Sequence, residues 1–231
     1  MTSIGILLFF TILSARAQST RLDDDSDWWS LVRDDTVPAG AAVQKRHVAG
    51  TTFDIAGIVL GRGSDERSIV QRFGKVTQID RGDASSGRHQ ACYASPARSN
   101  YLIFEWDEVE SVAYLIKNAK PWHGQEFCAM SALVTEQLAT RSGLTLGISR
   151  QRVFKLLGSP SLATPGRLYY FFEYEQKPST AEIRKLRKEN PQMSEDEFAK
   201  NFSSLTVTAV VDARFRSGAL TYLAISRSEV Y

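Results

Sequence analysis

Two stretches of this chain are nearly the same string. Gly57-Ile58-Val59-Leu60-Gly61 is followed by a polar turn and then by Ile69, Val70, Phe73 and Gly74; Gly143-Leu144-Thr145-Leu146-Gly147 is followed by a polar turn and then by Val153, Phe154, Leu157 and Gly158. The glycine anchors recur 86 positions on in both cases (143 − 57 = 86, 147 − 61 = 86). Self-similarity at a fixed long period marks a duplicated unit. With 231 residues there is room for two units of ordinary size, each with a modest core.

The pattern predicts the same order twice. In the first unit Asp65 caps a helix over Glu66 to Phe73, and Gly74 stops it. Branched and aromatic segments at 76–79, 90–94, 101–106 and 111–116 then read as strands. In the second unit Ser149 caps a helix over Arg150 to Leu157, Gly158 ends it and Pro160 forbids its continuation. Strands follow at 167–174, 205–213 and 219–226, while Ser131 to Ser142 reads either as a short helix or as an extended arm. The expectation is an α+β chain of two tandem helix(-loop-helix) plus small antiparallel sheet units, residues 51–122 and 126–231. Segment 176–203 has no counterpart in the first unit. Its capping boxes, Ser179-x-x-Glu182 and Ser194-x-x-Glu197, and its Pro191 predict a helical hairpin inserted into the second sheet.

Outside these units the chain begins with a short apolar run, Ile4 to Leu13, followed by Ala15-Arg16-Ala17. The run is too short to span a bilayer and the small-x-small triplet is a cleavage pattern, so 1–17 reads as a signal peptide. The protein is expected to be exported, periplasmic or extracellular, with no membrane span; no Cys near the cleavage point could carry a lipid anchor. Residues 18–50 form an acidic, mostly irregular leader with Asp23-Asp24-Asp25, Asp27-Trp28-Trp29 and Asp34-Asp35. Cys92 and Cys128, an even count in an exported chain, suggest one disulfide, two free buried thiols being the alternative. A net charge of +2 spread along the chain gives no footprint for nucleic acid.

Little in the sequence speaks for catalysis or for a cofactor. His47, His89 and His123 stand apart, and a zinc site needs three or four ligands. No nucleophile elbow, phosphate loop or dinucleotide fingerprint is present; Gly61-Arg62-Gly63 before a helix reads as a lengthened turn. The aromatic strands are more informative. Along Leu168 to Tyr174 one face carries Leu168, Tyr170, Phe172 and Tyr174, and the other Tyr169, Phe171 and Glu173. The first unit splits in the same way, with Leu102, Phe104 and Trp106 against Tyr101, Ile103 and Glu105. If helices cover one face of each sheet, Tyr101, Ile103, Tyr169, Phe171 and Glu173 form a candidate protein-contact face. Cover by the leader or the hairpin is the alternative.

The string Gly143-Leu-Thr-Leu-Gly147-Ile-Ser149-Arg-Gln-Arg-Val153-Phe-Lys-Leu-Leu157-Gly158-Ser-Pro160 resembles the SmpA/OmlA (BamE-like) envelope proteins. The tandem arrangement is similar to the β-lactamase-inhibitor protein fold. The resemblance implies a non-catalytic protein-binding role in cell-envelope assembly or scaffolding, with a protein partner. A secreted enzyme inhibitor and a small-ligand binder are the competing readings.

Overall fold

A strand that is apolar on both sides belongs in the middle of a sheet, and two such strands set this architecture. Asn100–Trp106 (β5) is buried along its whole length, and so is Glu110–Lys117 (β6) apart from its two ends. The computed structural model describes residue 32 and residues 37–61, 66–81, 87–122 and 124–231. Residues 1–17, read above as a signal peptide, most of 18–50, and Arg62, Asp65 and His123 lie outside them. In chain order come a short 3-10 helix Gly50–Phe53, the two-residue strands Asp54–Ile55 (β1) and Ile58–Val59 (β2), and helix Glu66–Phe73 (α1). Strands Ile79–Arg81 (β3) and Arg88–Ala94 (β4) precede β5 and β6, and Ala129–Met130 (β7) follows them. The second half holds helix Arg150–Leu157 (α2), strands Leu162–Thr164 (β8) and Arg167–Gln176 (β9), and helices Thr180–Glu189 (α3) and Glu195–Phe202 (α4). It ends with Leu205–Arg216 (β10) and Ala219–Val230 (β11).

The strands do not form two small sheets. β3 to β11 build one nine-stranded sheet, ordered β3-β4-β5-β6-β11-β10-β9-β8, with β7 pairing parallel to β4 and all other pairs antiparallel. The expected pair of separate helix-plus-sheet units is therefore corrected to a β-rich fold with four helices among the described residues. The joint is β6 against β11, in register from Tyr222↔Ile116 to Ser228↔Glu110. Its cause is the apolar character of β6 on both faces, which would leave a buried-type strand at an open edge if the halves were separate. Residues 131–142 are neither helix nor strand; they make only the bridges Ile55↔Thr140 and Ala139↔Thr145.

The repeated strings are explained by local turn chemistry. α1 and α2 both stop at a glycine with positive φ, Gly74 at 100° and Gly158 at 76°. Each glycine carbonyl then accepts a hydroxyl from a core tyrosine, Tyr93 at 2.9 Å and Tyr170 at 3.2 Å.

The first face of the sheet carries one apolar core that crosses the joint. Leu102, Phe104 and Leu115 from one half pack with Tyr170, Phe172, Leu223 and Ile225 from the other. Both helices lie on this side, with Ile69 and Phe73 of α1 and Val153 and Leu157 of α2 turned into it. The end of the leader is pinned to the outer edge of β9: Gln44 N–H donates to Phe171 O at 2.8 Å and Glu173 N–H donates to Gln44 O at 3.1 Å. α3 and α4 each begin with a complete capping box and lie between β9 and β10 in the chain. No helix among the described residues is long and apolar enough to cross a membrane.

Candidate functional site: a basic groove at the end of the second face

Strand register dictates what the second face carries. One row across the sheet reads Arg167, Arg214, Tyr222, Ile116, Tyr101 and Ala94. Two residues along, the next row on the same face reads Tyr169, Asp212, Ala224, Tyr114, Ile103 and Cys92. The β4–β6 part of this face is covered by the connection after β6. Cys128 in that connection is disulfide-bonded to Cys92, with Cα atoms 4.5 Å apart. Trp122 packs edge-on against Tyr101 with ring centroids 5.4 Å apart, and Phe127 and Val32 join the same cluster.

This cover corrects the exposure expected of the aromatic face. Tyr101 and Ile103 are fully buried and Tyr169 is 2% exposed. Phe171 and Glu173 are half-buried, and the Glu173 carboxylate pairs with Lys45 from the pinned leader. The two halves of the expected patch share one continuous face, but Tyr101 and Ile103 lie beneath the stapled connection.

Where the cover stops, the row of arginines begins. Asp212 lies in the row next to Arg167 and Arg214, two residues from Arg214 on β10 and on the same face, and its buried carboxylate holds both. Arg167 donates from Nε to Oδ1 at 2.7 Å and from Nη2 to Oδ2 at 3.0 Å. Arg214 donates to Oδ2 from Nε at 2.8 Å and from Nη2 at 2.6 Å. Each guanidinium also stacks on a tyrosine, Arg167 over Tyr169 at 5.0 Å and Arg214 over Tyr222 at 4.7 Å. One carboxylate between two permanent cations leaves the cluster positive. Nε and Nη2 of both arginines are committed to Asp212, so Nη1 is the nitrogen left on each fork for a ligand. The carboxylate and the rings fix both rotamers, so these donors are already ordered.

The arginines open into a groove of about 1090 Å³, walled on one side by residues 116–122 and on the other by the ends of β9, β10 and β11. Lys117, Lys120 and Arg216 add three cations, and no acid is among its described lining residues. Lys117 is bonded to Glu136 at 2.7 Å; Lys120 and Arg216 are exposed. Trp122 and Tyr222 supply rings. The sequence reading did not assign this site. Its available signal was an aspartate in the middle of an apolar strand, Val210-Val211-Asp212-Ala213, with Arg214 two positions on and therefore on the same face.

The remaining polar clusters are separate from the groove. His89 shares Asp80 and Gln78 at the β3–β4 edge, both at 2.7 Å from Nδ1. Buried Glu105 accepts from Arg88 at 2.6 Å and from Gln90 at 2.5 Å. Burial pushes the neighbouring Glu110 carboxyl above its ordinary range, against the pull of Arg88. Among the described residues no three His, Cys, Asp or Glu side chains gather as a metal site. No protein-family model, no curated protein and no solved structure matches this chain.

Proposed function

We propose that this chain is a non-catalytic binding protein working outside the cytoplasm, and that it engages a protein partner at the basic groove. The observation that carries the reading is the Arg167–Asp212–Arg214 arrangement: two part-exposed guanidinium groups fixed in place at the mouth of an open, ring-lined groove. Arginine, tryptophan and tyrosine are the residues that concentrate binding energy in protein interfaces. The disulfide supports the extracytoplasmic setting, since such bonds persist in oxidising compartments. The resemblance of 143–160 to the SmpA/OmlA pattern supports a role in envelope assembly or scaffolding.

The test is amine-directed cross-linking of the mature protein in its native compartment, followed by partner capture and mapping of the linked lysines. We expect links to concentrate on Lys117 and Lys120, in the groove, over Lys185 and Lys188 on α3. A partner linked through α3, with Lys117 and Lys120 unmodified, would overturn the assignment of the site.

A further inference from the structure

The geometry points to an acidic peptide segment of the partner as the ligand of the groove, an inference that rests on the binding role proposed above. Charge is the first argument. Five cations line the groove without a lining acid among the described residues. Lys117 is already paired with Glu136, and the carboxylate behind the arginines, Asp212, is buried and shared by both, so Lys120, Arg216 and the two fixed guanidinium groups carry the positive field. Distribution is the second. The cations come from three elements: Lys117 and Lys120 at and beyond the end of β6, Arg167 at the start of β9, and Arg214 and Arg216 at the end of β10. A compact anion such as phosphate is bound best by donors converging on one point. Cations spread along two walls of an open groove instead suit several carboxylates carried in series on an extended chain. Lining chemistry is the third argument. Trp122 and Tyr222 lie beside the charges and offer apolar contact to the remaining side chains of such a segment.

Arg167 and Arg214 supply fixed, planar donors suited to carboxylate recognition, whereas Lys120 and Arg216 are exposed and set the strength of the field. Loss of the exposed pair is therefore expected to weaken binding without disturbing the fold.

The experiment is fluorescence anisotropy with a fluorescein-labelled decaglutamate peptide, using the full mature chain with its disulfide intact, at low ionic strength. We expect saturable binding that Lys120→Ser with Arg216→Ser weakens about tenfold or more, at an unchanged melting temperature. Lys185→Ser with Lys188→Ser, on exposed positions of α3, should leave the affinity as it was. Inorganic phosphate at equal total charge should not displace the peptide. The proposal is overturned if no saturable binding occurs, if the α3 variant weakens binding as much as the groove variant, or if phosphate competes on equal terms. It is also overturned if the probe binds only after Asp23, Asp24, Asp25 and Asp27 are changed to Asn, because the occupant is then the chain's own leader. A partner that cross-links at Lys117 and Lys120 but is not displaced by decaglutamate refutes the peptide chemistry alone. A partner that links elsewhere refutes the binding site itself.

Discussion

The two faces of the sheet share their strands and little else. The first face is apolar through its interior, from Leu102 and Leu115 across to Leu223 and Tyr170, and both sheet-packed helices lie over it. Its buried charges, Arg227 and Glu229, form a pair beyond this interior. The second face buries Gln90, Glu105 and Asp212 among its tyrosines, and its β4–β6 part is covered by a connection held through Cys92–Cys128. Burying ionised groups stabilises a fold weakly or not at all once desolvation is counted. The comparison teaches that alternation along each strand divides labour. One face supplies the core, and the other holds the charges of the groove in place.

The largest expected effect is on the first face. Leu223 is fully buried at the centre of the shared core. Leu223→Ala should cost about 4 kcal/mol by lost burial and cavity formation, read as a shifted urea midpoint. Loss of well under 1 kcal/mol would break the claim that stability resides there. The staple comes next. Cys92→Ser with Cys128→Ser opens a loop with a sequence separation of 36 and should cost about 3–4 kcal/mol in the chain-entropy account. The same change should weaken groove binding, because Trp122 and Lys120 belong to the tethered connection. If stability falls and binding does not, the groove wall is ordered without the staple.

A smaller effect sharpens the comparison through pH. Burial pushes the Tyr170 hydroxyl up to about 12, against the opposing pull of Arg150 and Arg46. A folded-state value above the unfolded one means that the folded protein keeps this proton longer. The associated stability is complete below about pH 10 and is lost as pH rises towards 12. Burial also pushes Tyr93 upward, so both tyrosines add the same sign. Tyr170→Phe should cost about 1 kcal/mol at neutral pH, through the lost hydrogen bond to Gly158, and should flatten the alkaline fall. An unflattened profile would show that the first-face core leaves this hydroxyl open to water.

Much of the local structure was legible in the sequence because it rests on short-range chemistry. Ser149, Gly158, and the boxes at Ser179 and Ser194 marked helix ends that the structure shows. Cys92 and Cys128 indicated the bond that is present. Strand pairing was not legible, since which strand neighbours which is decided by long-range packing. The run Tyr101 to Trp106 was read as one buried and one open face, yet rings on both faces marked a central strand covered on each side. The groove was missed for a related reason. Asp212, Arg214 and Arg167 lie on two strands, and only the register Arg214↔Arg167 and Asp212↔Tyr169 brings them together.

The division between the faces is tested most directly by measuring partner capture and melting temperature side by side on two variants of the chain. Leu223→Ala should melt many degrees lower and still capture the cross-linked partner at temperatures where it is folded. Lys120→Ser with Arg216→Ser should melt as the wild type does and lose about tenfold or more in capture. Wild-type capture by the groove variant, or parallel loss of capture and stability in both variants, would contradict the account.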